Sequence, residues 1–493
     1  MEQHDALVIG AGFGGLAAAL TLAEQGVRVL VCESLRYAGG CASTFSRQGY
    51  RFESGATLFA GFGPGQPFAR WIERHRMPVT LRTPDPMVEL RAPGLTLPVR
   101  PDRAELEAQL AALPGAPVAA LHAFFAQQRA VADALWALFD EPELLPPFSP
   151  AMLLRHAARV PRYLPLLPLI GRPLGAVVAS HGLAGFEPLR IYLDAVCQIT
   201  VQTSSAEAEA PFALSAGDYY FRGTRHVHGG IGELAGAMVE AIRQSGGEVR
   251  LSDRVKALRP VPGGYEAETR RGPLRARVVG ANLLPQALAA LLGPDERAAR
   301  LDELTPRVEQ GWGAAMLYLA LRPDAALRPE AHHLELVADP SRPFTEGNHV
   351  FCSISGVDEP GRGPHDERTA TVSTHVPMAT LLALPESERG AYIAAIQARM
   401  EATLRSLAPA VLDACTFRLP ASPRTFARFT GRTEGYVGGL PRRAGLHNYA
   451  GMGQPPVRPG LFLLGDTVFP GQSTLAVALG GQKIANRMLD LLR

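Results

Sequence analysis

A glycine-rich turn near the N-terminus constrains this chain more than any other feature. The motif Gly10-Ala11-Gly12-Phe13-Gly14-Gly15 directly follows the apolar run 6–9. The Ala- and Leu-rich stretch 16–25 is typical of a helix, and a second apolar stretch, 27–31, precedes Glu33. A short apolar run, a G-x-G-x-x-G turn, a helix, a second strand and a terminal acid, in this order, predict a nucleotide-binding βαβ unit.

The glycines of this turn have different predicted roles. Gly10 allows a tight turn, Gly12 lets the backbone approach a pyrophosphate, and Gly15 lets the helix pack closely on the strand. The pyrophosphate would lie at the helix N-terminus, where free N–H groups favour an anion. Glu33 would accept hydrogen bonds from the adenosine ribose, and an acid here opposes the 2′-phosphate of NADP. We therefore expect FAD or NAD as the cofactor, with Gly14 also in contact with it.

A second glycine pair and an aromatic segment favour FAD over NAD. Gly39 and Gly40 follow the second predicted strand, and Tyr50-Arg51-Phe52-Glu53-Ser54-Gly55-Ala56 comes soon afterwards. This pattern resembles two-domain flavoproteins such as amine oxidases and carotenoid desaturases, in which the glycines wrap the pyrophosphate and ribityl chain of FAD. The resemblance implies FAD contacts at Gly39, Gly40, Ser43, Thr44 and Gly55.

The same resemblance continues downstream and reaches the C-terminus. Gly229-Gly230-Ile231-Gly232-Glu233-Leu234 opens a predicted helix, and the residue at the position of Val255 contacts adenine through its backbone in the family. The run 460–466 is similar to the family's final strand and Gly-Asp turn, which implies that Asp466 bonds the ribityl or phosphate region. The other FAD contacts implied by the resemblance are Gly465, Gly471, Ala476 and Val477.

The C-terminal third of the chain indicates one branch of these flavoproteins. Gly465–Ser473, Thr425–Phe429 and Gly435–Gly439 resemble carotenoid isomerases and bacterial carotenoid desaturases. The resemblance implies an FAD-dependent enzyme that desaturates a lipophilic, acyclic carotenoid by hydride transfer to flavin N5, for example in a terminal 3,4-type desaturation. It also implies four side chains near the flavin ring: Phe429, Tyr436, Phe469 and Gln472.

Other functions stay open at this point. One alternative is cis–trans isomerisation with reduced FAD, which would use the same substrate-binding tunnel as desaturation. A second is a retinoid saturase, which would need a reductant. A third is a carrier without turnover, which would bind pigment without reduction of the flavin. Amine oxidases of the superfamily place a lysine near flavin N5, a role that neither Lys256 nor Lys483, the chain's two lysines, suits. No second glycine fingerprint for NAD is evident, so we expect oxygen or a membrane quinone as electron acceptor. His375 is a candidate for the substrate cavity, although a structural role is favoured, and no acid–base residue is identified.

Composition argues against several classes of function. The net charge is +2, which gives no electrostatic case for a nucleic-acid partner. The five cysteines are scattered without a C-x-x-C pair, which argues against a disulfide scaffold or a metal site and suits a reducing cytoplasm. No signal peptide is evident, and no charge-free apolar run is long enough to span a bilayer. We expect a cytoplasmic enzyme that binds no metal.

Residues 146–186 form a segment that could attach to a membrane surface. Leucine-rich stretches alternate there with Arg155, Arg159, Arg162 and Arg172, and the segment contains no acidic residue. Apolar surface edged by arginines is what attachment to one leaflet requires. A pair of core-packing helices in the substrate domain is the alternative, and the sequence alone does not separate the two.

The predicted fold class is α/β, with a discontinuous Rossmann-type FAD-binding domain and a mixed α+β substrate domain. The predicted FAD-binding domain comprises residues 1–80, 211–290 and 430–493. The predicted substrate-binding domain comprises residues 81–210 and 291–429. Residues 102–138 are expected to be helical with few breaks, and 314–321, 349–355 and 369–376 to be strands.

Overall fold

Two large β-sheets surrounded by helices organise the computed structural model, which describes residues 1–55, 57–146, 148, 150–296, 298–359 and 361–493. Ala56 of the predicted aromatic segment, and Pro147 and Ser149 of the predicted membrane segment, lie outside the described residues. The strands of the described residues are β1 (Glu2–Ile9), β2 (Val29–Cys32), β3 (Thr44–Arg47), β4 (Tyr50–Glu53), β5 (Leu81–Arg82), β6 (Val88–Ala92), β7 (Leu95–Val99), β8 (His226–Val227), β9 (Glu248–Arg250), β10 (Val255–Val261), β11 (Gly264–Thr269), β12 (Gly272–Ala281), β13 (Trp312–Leu321), β14 (His332–Val337), β15 (His349–Ile354), β16 (Arg368–Pro377), β17 (Cys415–Ala421) and β18 (Leu461–Leu463).

Helices pack on both sheets and form most of the connections. The α-helices of the described residues are α1 (Phe13–Ala23), α2 (Pro67–Arg74), α3 (Arg103–Ala111), α4 (Val118–Asp140), α5 (Pro150–Ala157), α6 (Val160–Tyr163), α7 (Leu174–Ser180), α8 (Glu187–Thr200), α9 (Ala210–Ala216), α10 (Ile231–Gln244), α11 (Pro285–Leu292), α12 (Ala299–Glu309), α13 (Met378–Ala383), α14 (Glu386–Leu407), α15 (Pro409–Asp413), α16 (Pro423–Thr430) and α17 (Thr474–Leu492). The expected helical stretch 102–138 is broken between α3 and α4, where Pro114 and Pro117 interrupt the helical hydrogen bonds and Gly115 has φ +73°.

The first sheet has the parallel centre of a Rossmann-like fold. Strands β18, β12, β1, β2 and β9 run parallel in that order, and β10 and β11 extend the sheet antiparallel beside the start of β12. The side chains of Ala6–Ile9 and of all of β2 are buried, as expected for parallel strands covered on both faces. The strands come from 2–32, 248–281 and 461–463, ranges that fall inside the predicted FAD-binding domain, although the predicted domain boundaries themselves stay a prediction.

The two ends of the chain meet on this sheet. Helix α1 is buried along almost its whole length, and α17 lies against it. A Cβ built on Gly481 would come within 2.3 Å of the Gly14 carbonyl oxygen, so the two helices are in direct backbone contact there. The C-terminal helix therefore completes the same unit that the N-terminal turn begins.

The second sheet has the order β17-β13-β16-β15-β14-β6-β7 and is antiparallel except for the β14–β6 pair. The three strands expected from sequence are confirmed as β13, β15 and β16, with ends shifted by at most two residues.

A buried polar cluster joins the second sheet to strand β4 and helix α10. Arg362 donates to Glu53 Oε1 at 2.8 Å and to Glu359 Oε2 at 2.6 Å, and Glu53 Oε2 accepts the N–H of Ile231 at the start of α10. This cluster fixes the helix α10 against the second sheet.

The predicted membrane segment has two structurally different halves. Helix α7 buries Leu174, Val177 and Val178 in the core, so the core-packing alternative holds for this half. Helix α5 in contrast has no buried side chain. The apolar side chains that this half exposes, here called the apolar strip, are Phe148, Leu153, Leu154, Val160, Leu164, Leu167 and Ile170. Within the described residues no helix has both the length and the apolar composition needed to cross a bilayer.

Candidate active site

The first glycine turn lies where β1 meets α1. Gly10 has φ +95°, and Gly12 precedes α1 without a side-chain capping bond. A Cβ built on Gly12 would come within 2.6 Å of Asn282 Nδ2, and one on Gly15 within 2.0 Å of the Gly10 carbonyl oxygen. These contacts leave no room for larger residues, so the turn keeps its backbone bare where Gly10, Gly12 and Gly14 line a cavity. Gly15 does not line the cavity and instead has its predicted packing role.

Glu33 lies directly after β2 and lines the same cavity. Its Oε2 accepts the N–H of Ala11 at 2.7 Å, and its Oε1 accepts the N–H of Leu35 at 2.7 Å. The side chain therefore braces the glycine turn. A carboxylate oxygen can accept more than one hydrogen bond, so Glu33 retains acceptor capacity for a ligand hydroxyl. Its contact with a ribose stays a prediction.

The second glycine pair lies against the first turn. Gly39 and Gly40 have φ +113° and +63°, and the N–H of Gly39 donates to the Ala11 carbonyl oxygen at 2.8 Å. A Cβ on Gly40 would come within 3.3 Å of the Gly12 Cα, so the two loops are in close contact. Gly39 and Gly40 both line the cavity, as do Gly55 and Val255, which were also expected to contact a cofactor.

Ser43 and Thr44 do not line the cavity, so the cofactor contact expected of them stays a prediction. Thr44 Oγ1 donates to Glu53 at 3.0 Å and accepts the N–H of Gly232 at 2.8 Å. The hydroxyl oxygens of Ser43 and Ser54 lie 3.1 Å apart. Both predicted cofactor ligands therefore hold the β3–β4 hairpin and the start of α10, and they support the glycine loops from behind.

Asn282 is a site residue that the sequence analysis missed. It follows β12, and its side chain lines the cavity between the N-terminal and C-terminal glycines. A Cβ would approach the Asn282 side chain to 3.1 Å from Gly14 and to 2.8 Å from Gly465. Asn282 follows the carboxyl end of a buried parallel strand, as Glu33 does at another strand. This position is the signal that could have identified it.

The C-terminal turn completes the polar part of the cavity. Gly465 and Asp466 line it, and both Asp466 oxygens accept hydrogen bonds from Arg432 Nη2, at 3.1 and 2.8 Å. Ala476 and Val477, at the start of α17, also line it. We name Gly10, Gly12, Gly14, Gly39, Gly40 and Gly465 the glycine cradle. Arg432 was not identified from sequence, because nothing distinguishes it from the chain's many other arginines.

Two of the four side chains expected near a flavin ring line the cavity, namely Phe469 and Gln472. Gln472 Nε2 donates to the Thr200 carbonyl oxygen at 2.9 Å. Phe429 does not line the cavity, because its ring is 49% exposed on α16 and lies beneath the Arg428 guanidinium, so its contact with a flavin ring stays a prediction. Phe426 lines the cavity in its place.

Two further expected contacts also lie outside the cavity wall. Tyr436 is buried in the hydrophobic core, and its neighbour Val437 lines the cavity. Gly471, with φ +121°, packs against Arg442, whose Nη2 would lie 2.8 Å from a Cβ at this position. Glycine is favoured at position 471 by this backbone conformation, since the Arg442 contact involves only the end of a flexible side chain.

Beyond the glycine cradle the cavity, of about 820 Å³ in total, becomes apolar. It extends between the second sheet and the helices, and its exposed end includes Phe148 of the apolar strip and His156 of α5. The Phe, Tyr and Trp residues that line it are Phe13, Phe59, Trp136, Phe139, Phe148, Phe212, Tyr219, Tyr220, Phe351, Phe426, Tyr449 and Phe469. A cavity with a polar, glycine-lined end and a long apolar end suits a nucleotide cofactor beside a lipophilic molecule.

His375 lies in the cavity wall on β16. Its ring is in edge-to-face contact with Trp312, with 5.8 Å between the ring centroids. Burial lowers the pKa of His375 to about 3, and the neighbouring His349 adds to this effect. The imidazole is therefore neutral near pH 7, which makes it a poor acid but leaves it able to donate or accept a hydrogen bond.

Neither lysine of the chain lines the cavity. Lys256 is exposed on β10, and Lys483 is half-buried in α17, where burial lowers its pKa. No amine is therefore placed for the flavin-side role that amine oxidases assign to a lysine.

The comparisons with known proteins agree with this geometry. The family model described as "NAD(P)-binding Rossmann-like domain" matches residues 8–74. Prolycopene isomerase from Arabidopsis thaliana is 25% identical over 508 residues, covering 98% of this chain and 82% of that protein. The neurosporene-forming phytoene desaturase of Cereibacter sphaeroides is 28% identical over 272 residues, covering 52% of this chain and 47% of that protein.

Solved structures share the fold at low identity. An oxidoreductase from Methanosarcina mazei superposes with a TM-score of 0.63 at 18% identity, covering 98% of this chain and 100% of that one. Putrescine oxidase bound to putrescine gives 0.61 at 15% identity, covering 99% of each chain. The fold is that of two-domain FAD oxidoreductases, and the bare glycine cradle, Glu33 and the start of α1 fit the FAD that this family implies. The chain is thus homologous to prolycopene isomerases and to a phytoene desaturase, and it has the fold of two-domain FAD oxidoreductases.

Proposed function

We propose that the protein is an FAD-dependent desaturase of an acyclic carotenoid, acting in a terminal 3,4-type position. The observation that carries this proposal is the continuity of one cavity, which begins at the glycine cradle and continues among aromatic side chains. A rigid, extended hydrocarbon chain is the kind of substrate that such an apolar, aromatic passage accommodates. The relatives named as phytoene desaturase and prolycopene isomerase act on molecules of this type.

Desaturation requires few acid–base groups from the protein. The substrate would lose a hydride and a proton, and FAD bound at the cradle would supply the acceptor for the two electrons and for both hydrogens. The aromatic wall excludes water and holds the chain in one orientation, and this positioning is the main contribution of the side chains. His375, neutral in the wall, can hold a hydrogen bond but is not needed as a base.

Cis–trans isomerisation with reduced FAD is the second candidate. It uses the same cavity, and the isomerase relatives match a larger share of this chain than the phytoene desaturase does, at similar identity. A retinoid saturase and an amine oxidase are less favoured. The relatives named as all-trans-retinol 13,14-reductase match only 11% of this chain, and no lysine lines the cavity among the residues described.

We also propose that the enzyme takes its substrate from a membrane surface. The apolar strip exposes Leu154 by 76% and Leu167 by 60%, and Phe148 belongs both to this strip and to the cavity wall. Arg155 and Arg159 pair with Glu141, while Arg162 and Arg172 are exposed where anionic lipid headgroups could reach them. A lipid surface is the occupant that matches an apolar strip with exposed arginines beside the mouth of a lipophilic cavity.

Oxygen or a membrane quinone is the electron acceptor that we propose.

The product's mass separates the two candidate reactions. The holoenzyme is incubated without oxygen with vesicles that contain an acyclic carotenoid, once with oxidised FAD and once after chemical reduction. A product lighter by two hydrogens, formed only with oxidised FAD, would support the desaturase. A product of unchanged mass and altered isomer profile, formed only with reduced FAD, would replace it with the isomerase. No conversion in either state would contradict both.

A further inference from the structure

Arg442 is one of three arginines that line the cavity, and it lies against the aromatic part of the wall. Arg442 lines the wall, and its guanidinium lies over the ring of Phe212, 5.2 Å from the ring centroid. Its Nη2 donates to the Pro470 carbonyl oxygen at 2.8 Å, in the loop that precedes α17. This contact fixes the guanidinium between the loop and the aromatic wall.

The nearest acid does not neutralise this cation by direct contact. Within the described residues no ion pair joins Arg442 to a carboxylate, although Glu209 lies near enough to influence it electrostatically. The Glu209 carboxylate already accepts the N–H groups of Gly171, at 2.9 Å, and Phe212, at 3.4 Å, and the hydroxyl of Tyr449. Arg307 adds a second positive charge in the neighbourhood.

Burying a guanidinium in an apolar cavity costs free energy unless a hydrogen-bond acceptor contacts it. Burial, with a contribution from Arg307, lowers the pKa of Arg442 to about 10, so it is still charged near neutral pH. A guanidinium has five N–H donors, and a purely hydrocarbon ligand would leave those that face the cavity without acceptors. An oxygen atom on the ligand would satisfy them with charge-assisted hydrogen bonds.

We propose that Arg442 binds an oxygen-bearing end of the substrate, so that the substrate class is a polyene with a terminal carboxylate or carbonyl group. This inference rests on the proposed function, because it names the substrate of the same cavity. Phe212, Tyr449 and Met452, which line the cavity on this side, contact the polyene chain next to that end group. Arg442 is a binding residue here and takes no part in the chemistry.

A binding measurement on the holoenzyme tests this without requiring turnover. The ligands are a C30 polyene monocarboxylic acid, its methyl ester and the hydrocarbon of equal length, each supplied in neutral lipid vesicles. Their affinities are measured by the change in polyene absorbance. We expect the acid to bind roughly tenfold more tightly than the hydrocarbon, about the effect of one charge-assisted hydrogen bond.

Substitution then assigns the preference to Arg442. Arg442→Gln should abolish the preference for the acid, and Arg442→Lys should restore part of it. Arg443→Gln is the matched control, because Arg443 is the next residue, points outwards and pairs with Glu207 at 3.2 Å. This control should keep the wild-type preference. Bound FAD is read from the flavin absorbance of each variant.

Three outcomes would overturn the inference. Equal wild-type affinity for acid and hydrocarbon would mean that no end-group site exists, and it would leave the proposed function standing. Loss of FAD from Arg442→Gln, with retained preference among the holoenzyme molecules, would assign the guanidinium to the cofactor. Failure of the wild type to bind any of the three polyenes would overturn both this inference and the proposed function.

Discussion

The backbone at Gly15 touches the backbone at Gly10. A Cβ built on Gly15 would come within 2.0 Å of the Gly10 carbonyl oxygen, a distance that no real side chain can occupy. Because Gly15 has no side chain, the start of α1 can lie directly against the end of β1. The same turn contributes three glycines to the glycine cradle. The packing of α1 on β1 and the predicted binding of the cofactor therefore depend on one short stretch of backbone.

Replacing Gly15 with alanine should destabilise the protein. We expect the free energy of unfolding to fall by about 1–3 kcal/mol, as for other overpacked sites, since backbone atoms must move. FAD affinity should fall with it. Gly236→Ala is the control, because nothing lies within 4 Å of its Cβ position on α10, and it should raise stability by roughly 0.5–1 kcal/mol. Urea unfolding of both variants gives the comparison, and equal stability of the two would refute the packing role.

Removing the charge of Glu33 should weaken FAD binding. Glu33→Gln keeps the shape but loses a charged acceptor for Ala11 and for the ribose, so the dissociation constant for FAD should rise about 10- to 100-fold. Titration of apoprotein with FAD, followed by flavin fluorescence, measures this. The exposed Glu240 on α10 offers the control Glu240→Gln, which should bind FAD normally. An unchanged affinity of Glu33→Gln would contradict the predicted ribose contact.

Charging the apolar strip should detach the enzyme from membranes. The double variant Leu154→Glu, Leu167→Glu removes two exposed leucines, each able to contribute about 1.5–3 kcal/mol when buried in lipid. Co-flotation with vesicles should fall by tenfold or more, roughly the loss of one such leucine. Leu491→Glu is the matched control, since Leu491 is 53% exposed at the far end of α17 and outside the strip. If both proteins float equally well, the strip is not the membrane contact.

Acid should destabilise the protein through its buried histidines. Burial lowers the pKa of His332 to about 4 and of His375 to about 3, so both are neutral in the folded state near pH 7. Unfolded histidine takes up a proton below about pH 6.5, so the unfolded state gains protons as the pH falls. Each residue should therefore cost about 2 kcal/mol of stability between pH 7 and pH 5.

A histidine variant tests this pH dependence. His375→Asn should reduce the loss of stability between pH 7 and pH 5 by about 2 kcal/mol, as measured by urea unfolding with FAD in constant excess. His365→Asn is the control, because His365 is exposed with φ +55°, a conformation that asparagine tolerates. If both variants lose stability like the wild type, His375 is protonated in the folded protein.

The sequence predicted the nucleotide-binding half well because its signals are local. A bare turn between two buried strands depends on glycines close together in the chain, and Gly10, Gly12 and Glu33 lie as expected. The second sheet was recognised only in part. Strands β15 and β16 are rich in β-branched residues and β13 is an apolar run, whereas their order in the sheet depends on contacts across long sequence separations.

The cavity wall was harder to predict because it depends on the direction of single side chains. Phe429 and Phe426 are three residues apart on α16, and only the tertiary packing decides that Phe426 faces inwards. The resemblance to two-domain flavoproteins implied cofactor contacts at Ser43 and Thr44, whereas in the structure their hydroxyls are bonded to Ser54, Glu53 and α10. Arg442 lies among many arginines in the sequence, and only burial distinguishes it.

In the proposed function, FAD and a polyene share one continuous cavity. An anaerobic single-turnover experiment tests this most directly, with the oxidised holoenzyme, carotenoid-loaded vesicles, and flavin and polyene absorbance followed together. The cavity-filling variant Ala314→Phe, on β13, is run beside the wild type. The wild type should lose its oxidised-flavin absorbance as the polyene spectrum shifts to longer wavelength, and Ala314→Phe should bind FAD but show neither change. Unchanged absorbance of flavin and polyene in the wild type, with FAD tightly bound, would contradict the proposed function.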